Sequence, residues 1–542
     1  MSETLADTAP IEARRPLVVS FIRETIPSLW EAALAIGSAI LLILAFPNFE
    51  FWWLAWIGFV PLLFAVVTTS RKRTAFALGL LWGTAFFYGT CWWLTYPMIH
   101  YGGVSAWLAY PLLLLPVVFV SLFPAAACAC VSLVVKRFGS PAILIAPIIW
   151  VAFDWLRGAV TGLDWNALGY SQAFHPMMIQ SARWGGVYTV SFLLLSANAG
   201  MVLIVIRKYL VAVILILLAI VATVLSTHWH GRESLQTANL RMPNPVIVAV
   251  QPNVPMDVDG DPKHMNDLRD RHLFLSAQAL NQFTENGTLP FASSRPRLVI
   301  WPESPMNFSY SGDPQLQNAI ANFAQTNHTS VLLNSLEPAP NGGSYNSAIL
   351  VNEQGEKVAQ YDKIRLMPFG EYVPLPRWLP GSGSVRGIVG EFTPGSSYTL
   401  MPLGALRAGV FICIEAAHPE VARSFTNEGA DVLINISNDG YLGPTAVMRQ
   451  HLANAVFRAV ENDRDILRVT NSGITAQIHP NGAVSDTTPA FQEAVRTWTI
   501  TKGGGGSTFY SRHGDLFAYG CALISLGVIS VTFMTKRQYR ER

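Results

Sequence analysis

SAWLAYPLLLLPVVFVSLFPAAACACVSLVV (residues 105–135) contains no charged residue, and Lys136-Arg137 closes it. A bilayer core of roughly 30 Å needs about 20 apolar residues as helix, so this run reads as a membrane span. Similar runs occupy 28–46, 51–69, 75–96, 141–156, 186–206, 209–226 and 515–534. The 141–156 run is short, with Asp154 in it and Arg157 just after. A single apolar run could be a buried core helix. Seven in succession within the first 226 residues argue for membrane. The first run is long, lacks a small-x-small cleavage site and is followed directly by more spans, so it does not read as a cleaved signal peptide.

Composition agrees. The 542 residues are 51% hydrophobic and only 13% charged, against about 25% charged in soluble globular chains. A single soluble domain and a disordered chain are both excluded. A net charge of +2 gives no argument for nucleic acid. With the N-terminus inside, the short inside segments carry Arg14, Arg15, Arg23, Arg71, Lys72, Arg73, Lys136, Arg137, Arg207, Lys208, Lys536, Arg537, Arg540 and Arg542. Outside, residues 47–50 and 97–104 carry no Lys or Arg, and 157–185 carries only Arg157 and Arg183. That asymmetry fits the positive-inside rule. It predicts eight spans with both termini cytoplasmic. The expected organisation is a cytoplasmic segment (1–27), seven helices (28–226), an extracytoplasmic domain (227–502), a Gly-rich tether (503–514), an eighth helix (515–534) and a cytoplasmic tail (535–542).

The 227–514 block alternates strand and helix signals. Strand runs are expected at 245–250, 297–301, 330–333, 406–414 and 432–437, a hairpin around 348–360, and two strands within 466–478. Helices are expected at 314–327, 418–429 and, as a long amphipathic element, 444–463. Such alternation implies a sheet with helices packed on it. No internal repeat, dinucleotide fingerprint or P-loop is present.

Of five cysteines, Cys91, Cys128, Cys130 and Cys521 lie in apolar spans, and Cys413 alone lies in the outside domain. Taken alone, Cys413 reads as a buried strand cysteine. Its context adds more: Phe411-Ile-Cys413-Ile-Glu415 ends a strand, and a helix opens soon after. An elbow of this kind presents a nucleophile, and a helix N-terminus favours a thiolate. A thiol nucleophile needs a base. Ile300-Trp-Pro-Glu303 puts a carboxylate just past a hydrophobic strand, although a solvated loop Glu would look the same. Tyr361-Asp-Lys363-Ile-Arg-Leu-Met-Pro-Phe-Gly-Glu371-Tyr has no helical or strand period, which suits a functional loop. His418 and His451 stand isolated and read as non-ligands. No metal-ligand spacing appears, and no metal or cofactor is expected.

These three segments, in this order, resemble the Glu–Lys–Cys triad of the nitrilase (carbon–nitrogen hydrolase) superfamily. Ser437-Asn-Asp-Gly-Tyr-Leu-Gly and the His451, Arg458, Glu461 helix are similar to it as well. Trp155-Leu-Arg-Gly followed by Leu168-Gly-Tyr-Ser-Gln narrows the resemblance to the apolipoprotein N-acyltransferases of bacterial inner membranes. The resemblance covers nearly the whole chain. It implies a polytopic α-helical membrane domain plus an α/β nitrilase-like αββα sandwich in the periplasm. It also implies a ping-pong acyl transfer. Glu303 would be the base and Cys413 the nucleophile, with a phospholipid as acyl donor and a diacylglyceryl-modified apolipoprotein as acceptor. Lys363 would stabilise thiolate and oxyanion, and the backbone N–H of Ile414 would be the second oxyanion donor. Glu371 and Glu415 would orient Lys363 or the incoming amine, or else form structural ion pairs. A lateral opening lined by aromatics is expected, with Trp92, Trp93, Tyr96, Tyr101 and Trp107 near the outer interface, where an ordinary aromatic belt would also sit. A monomer is expected.

The sequence departs from the family pattern in three places. Ile414 follows the nucleophile where an aromatic is usual, no Trp follows Gln251-Pro-Asn-Val-Pro255, and Gly440-Tyr441-Leu442 replaces a more aromatic run. The departures fall around the acyl pocket and its covering loops, not in the triad. Two other readings stay open at this point. One is a membrane-tethered nitrilase-type amidase or acyl hydrolase. The other is a non-catalytic scaffold or transporter.

Overall fold

The computed structural model describes residues 25–69, 71–208, 221, 245–256, 261–285, 295–303, 305–340, 342–373, 378, 392–500 and 506–538. The apolar run at 209–226, apart from residue 221, lies outside the described residues, as do 1–24 and 539–542. The membrane half begins with α1 (Leu29–Ala45), opened by a reciprocal Ser28–Glu31 capping box. It continues through α2 (Val60–Thr68), α3 (Lys72–Cys91), the short α4 (Thr95–His100), α5 (Ala106–Phe138), α6 (Ala146–Thr161) and α7 (Ala182–Val205). Among the described residues, five helical segments are long and apolar enough to cross a membrane: Arg73–His100, Ala106–Phe138, Ser140–Thr161, Ala182–Val205 and Leu516–Met534. Leu29–Ala45 and Trp52–Thr68 are apolar but shorter.

The run expected as one span at 51–69 is broken. A 3₁₀ turn at Trp52–Trp56 precedes α2, which opens with Pro61 in its first turn. A break exposes backbone groups that must find partners. Asn198 of α7 supplies them, accepting from the Phe59 N–H at 2.9 Å and donating to the Ala55 carbonyl at 3.0 Å. In α6, the doubtful charges pair with each other: Arg157 donates to Asp154 Oδ1 at 2.7 and 3.1 Å, and to the Trp165 carbonyl at 3.0 Å.

From Pro245 the chain runs β1 (Val246–Gln251), α8 (Pro262–Glu285), β2 (Arg297–Ile300), α9 (Pro314–Asn327), β3 (Ser330–Pro338), β4 (Ser344–Val351), β5 (Lys357–Asp362), β6 (Leu400–Leu403) and β7 (Leu406–Ile412). It continues as α10 (Pro419–Asn427), β8 (Val432–Ser437), α11 (Val447–Asn462), β9 (Ile466–Thr470), β10 (Ala476–Ile478), β11 (Val484–Ser485) and β12 (Ala494–Thr499). The strands form two six-stranded sheets, ordered β12-β1-β2-β3-β4-β5 and β11-β10-β9-β8-β7-β6. In each, three parallel strands (β1-β2-β3 and β7-β8-β9) are flanked by antiparallel ones.

Side-chain alternation along the strands makes the layers. Ile247, Ala249, Leu298, Ile300 and Leu332 share a core with Val410, Ile412 and Leu433 of the other sheet. Their neighbours Val248, Val250, Val299, Val331 and Leu333 pack instead under Leu268 and Leu275 of α8 and Leu316 and Ile320 of α9. Helices α10 and α11 cover the second sheet, completing an αββα sandwich.

Two expectations change. The 444–463 helix is not amphipathic in place: from Val447 to Asn462 only Arg449 is not buried. Its polar face is covered by the membrane half rather than by water. The expected tether (503–514) also contains a helix among its described residues. Residues 501–505 lie outside the described residues, but Phe509–His513 forms a helix, α12, with Tyr510 and Ser511 buried. Asn427 donates to the Ser511 carbonyl at 3.0 Å, bolting α12 to α10 just before α13 (Leu516–Gln538).

Candidate active site

Each sheet delivers part of the site from the ends of its strands. Beyond β2, the Trp301 N–H bonds the Leu332 carbonyl at 2.8 Å, and Glu303 follows after Pro302. Beyond β5, the Lys363 N–H bonds the Asn346 carbonyl at 2.8 Å, and its own carbonyl accepts from Gly395 N–H at 2.8 Å. Beyond β7, Cys413 takes a left-handed backbone with φ of 52°. A non-glycine residue there carries strain, which the surroundings must impose.

Glu303 is held at both oxygens. Asn346 Nδ2 donates to Oε1 at 2.9 Å, and the Asn438 N–H donates to Oε2 at 3.0 Å. Lys363 is 1% exposed. Its Nζ lies 2.9 Å from Glu371 and 3.6 Å from Glu303 Oε1. Burial opposes its charge, but Glu371 and then Glu303 outweigh burial and hold the ammonium well above the ordinary lysine range. Asn346 Nδ2 also donates to Glu371 Oε1 at 2.7 Å, so one amide ties the two carboxylates together. The Met367 N–H takes the other Glu371 oxygen at 2.7 Å.

The surroundings of the Cys413 thiol oppose its ionisation. Burial first, and then the Glu303 carboxylate, push the Cys413 thiol well above its ordinary value, and Lys363 only partly offsets them. Burial and Glu303 thus favour the neutral thiol of Cys413 over its thiolate.

Glu371 does sit on Lys363, as the sequence suggested. Glu415 does not reach the Lys363 ammonium. Its fully buried carboxylate accepts from Tyr361 OH (2.7 Å), Ile364 N–H (2.8 Å), Arg365 N–H (3.0 Å) and Ile412 N–H (2.8 Å). It thus fastens the Lys363 loop to the Cys413 elbow. The Cys413 carbonyl is in turn bonded by His451 Nε2 at 3.0 Å and Asn435 Nδ2 at 3.5 Å.

One wall comes from the membrane half. Trp93 and Trp165 form a buried apolar cluster with Ile414, Ala417, Ala446, Val447 and Met448, and half-buried Cys413 packs against it. Gln450 of α11 locks both indoles, accepting from Trp93 Nε1 at 3.1 Å and Trp165 Nε1 at 2.9 Å. Its own amide donates to the Thr90 carbonyl at 2.9 Å and the Pro47 carbonyl at 3.3 Å. Trp93 is therefore part of the site wall rather than an aromatic belt, whereas Trp92 and Trp107 are exposed. Tyr101 stacks on Tyr441 at 5.0 Å, and Tyr96 lies against Gly443.

Sequence reading missed Asn346, Gln450 and the bonding roles of Asn438 and His451. Asn438 lay inside the Ser437-Asn-Asp-Gly stretch already singled out, whereas Asn346, in the polar first half of β4 (Ser344-Tyr-Asn-Ser), left no signal.

Two family matches divide at the boundary between the halves. Residues 38–200 match the apolipoprotein N-acyltransferase N-terminal domain, and residues 285–510 match carbon-nitrogen hydrolase. A protein of Geobacter metallireducens named apolipoprotein N-acyltransferase is 32% identical over 94% of this chain and 96% of its own length. The chain belongs to the apolipoprotein N-acyltransferase family. A relative of that name from Allorhizobium ampelinum is 30% identical over 92% of this chain and 95% of its own. An amidase structure from Nesterenkonia sp. aligns over 52% of this chain and 98% of its own at 16% identity, with a TM-score of 0.37. As a family member the chain is a membrane-embedded acyltransferase, and its second half carries the carbon–nitrogen hydrolase sandwich described above.

Proposed function

We propose that this chain N-acylates lipoproteins by a two-step transfer through a Cys413 thioester. The observation that carries the reading is a thiol, a carboxylate and a buried ammonium whose remaining wall is built by tryptophans of the membrane half. A soluble enzyme would have to lift its acyl substrates out of the bilayer at about 0.8 kcal/mol per CH₂. Here Trp93 and Trp165 carry an apolar surface up to Cys413. Lipid would enter through a lateral opening between helices and sandwich.

In the first step Glu303 takes the thiol proton as Cys413 Sγ attacks the sn-1 ester carbonyl of a phospholipid. Lys363 and the Ile414 N–H stabilise the oxyanion. Collapse breaks the ester C–O bond, the Glu303 proton goes to the leaving lysophospholipid, and an acyl thioester remains. In the second step the neutral α-amino group of a diacylglyceryl-cysteine attacks the thioester. Glu303 accepts its proton, the C–S bond breaks, and that proton returns to the Cys413 sulfur. The amide is released and the thiol restored. The apolar wall excludes water, which favours transfer over hydrolysis. Glu371 keeps Lys363 charged and in place. The same reading puts the sandwich on the periplasmic side of an inner membrane, both termini in the cytoplasm, and the working unit as a monomer. It keeps the boundaries 1–27, 28–226, 227–502, 503–514, 515–534 and 535–542, with α12 inside the tether.

Intact-mass spectrometry after incubation with phospholipid alone tests it. The expected result is a gain of one acyl chain, absent from Cys413→Ala and discharged by a diacylglyceryl-cysteine peptide. Free fatty acid without transfer would mark a hydrolase. No adduct and no turnover in a folded, lipid-supplied sample would overturn catalysis altogether.

A further inference from the structure

His451 contacts neither Glu303 nor Lys363, yet it is 2% exposed and its ring is bonded at both ends. Nε2 lies 3.0 Å from the carbonyl oxygen of Cys413, and Nδ1 lies 2.8 Å from Asp439 Oδ1. Both of those oxygens can only accept. Nε2 therefore carries a hydrogen and donates it to the Cys413 carbonyl, while Nδ1 faces Asp439. Arg468, also buried, bonds Asp439 Oδ2 at 2.6 Å and lies 3.2 Å from Nδ1, so the Asp439 carboxylate sits between the guanidinium and the imidazole. Ser437 Oγ donates to Asp439 Oδ1 at 2.9 Å. Although burial opposes it, Arg468 and His451 hold the Asp439 carboxyl well below its usual range. Arg468 also bonds Asn435, whose amide is the second donor to the Cys413 carbonyl. The face of the His451 ring meets Trp165 at 6.0 Å. The charged groups around the ring are thus Asp439 and Arg468, with the Cys413 elbow beyond Nε2.

The peptide joining Cys413 to Ile414 is planar and trans, so its C=O and N–H point in opposite directions. Whatever fixes the carbonyl of Cys413 also aims the N–H of Ile414. We infer that His451, clamped by Asp439 and Arg468, is a positioning residue that turns the Cys413–Ile414 peptide so that the Ile414 N–H meets the oxyanion of the acyl-transfer intermediate. The inference deepens the acyl-transfer reading and rests on it. The hydrogen bond from Nε2 also withdraws electron density from the carbonyl, which makes the N–H on the far side of the same peptide a stronger donor. The left-handed backbone of Cys413 is what brings its carbonyl to the His451 side, and the same clamp offsets that strain. Asp439 directly follows Asn438, whose N–H holds Glu303 Oε2, so one short segment sets both the base and the oxyanion donor.

Two reactions of the same sulfur separate aiming from general support. Ester acylation passes through an oxyanion, whereas alkylation by iodoacetamide is a displacement with none. The full chain in lipid nanodiscs is compared with His451→Gln and His451→Leu. Cys413 acylation by phospholipid is followed by intact mass in single turnover, and iodoacetamide alkylation of Cys413 is followed alongside. Losing one oxyanion donor costs on the order of 10² to 10³ in rate. The Leu variant is expected to lose about that much acylation at saturating phospholipid, with half-saturation little changed and alkylation within about twofold of wild type. Gln keeps one donor towards the carbonyl and is expected to recover about tenfold over Leu. If Leu does not fold, Gln alone is expected to acylate about tenfold slower than wild type with alkylation unchanged. Acylation and alkylation falling together, or acylation at the wild-type rate in a folded variant, would overturn the inference. A wild-type chain that alkylates but never acylates would overturn the acyl-transfer reading beneath it instead.

Discussion

At the scale of single residues, Glu303 and His272 are set by their surroundings in opposite ways. Glu303 has each carboxylate oxygen occupied by one donor, which aims it without consuming its ability to take a proton. Glu303→Gln keeps the shape and removes that ability. General-base loss costs about 10² to 10⁴, so single-turnover acylation measured by intact mass should fall by that factor while the melting temperature stays near wild type. His272 is buried against Trp301, with Nδ1 on the Leu268 carbonyl at 2.7 Å and Nε2 without a partner among the described residues. Burial pushes its pKa down to about 4. An unfolded His titrates near 6.5. Below that pH the unfolded chain binds a proton that the folded chain refuses, so stability is full above about 6.5 and is lost as pH falls towards 4. The loss is about 3 kcal/mol by linkage. Melting curves between pH 7 and 4 should show this slope, and His272→Gln should flatten it.

At the scale of elements, α11 decides how the halves meet. Read as sequence it has a polar stripe suited to water. In the fold Arg449 pairs with Glu50 at 2.6 Å, Gln450 holds two indoles and two carbonyls, and Phe457 packs its ring on Tyr170 at 4.9 Å. Side chains that resemble a solvated face are thus a polar joint. Replacing Gln450 with Leu leaves the Trp165 N–H and the Pro47 carbonyl buried without this partner. An unpartnered buried polar group costs about 1 to 3 kcal/mol. Gln450→Leu should therefore lower the melting temperature of the full chain by an amount equivalent to about 2 to 3 kcal/mol. An unchanged midpoint would show that water replaces the amide. Among strands, β1, β2, β7 and β8 were legible as continuous apolar runs, because buried parallel strands need apolar residues on both faces. β6, β11 and β12 were not, since two to six residues at a sheet edge carry too little pattern.

At the scale of the whole molecule, the membrane helices complete the catalytic half as well as anchor it. Cys413 packs against Trp93 and Trp165, and Glu461 is fully buried, paired with Arg458 at 2.7 Å and close to Gly186 of α7. Residues 245–500 expressed alone would bare the apolar and charged face of α11 and the site wall. Such a piece should aggregate or bind detergent on size exclusion. A monodisperse, detergent-free product with native circular dichroism would contradict this account.

The sequence by itself determined that the chain enters the membrane and that its long polar block is an α/β domain, and it singled out Glu303, Lys363 and Cys413 as candidates for the chemistry. Those features are local: apolar length, strand periodicity, and reactive groups just past strand ends. Tertiary structure alone decided the rest. It gave Glu415 to loop bracing rather than to Lys363, because four donors from three segments converge on its carboxylate. It favoured the neutral thiol of Cys413, because burial and Glu303 outweigh Lys363. It brought Asn346 to the site beside Asn438 and His451, although Asn346 lies far from both in the chain. Partnership across two sheets and a helix depends on where the backbone turns in space, and that information is spread over the whole packed core.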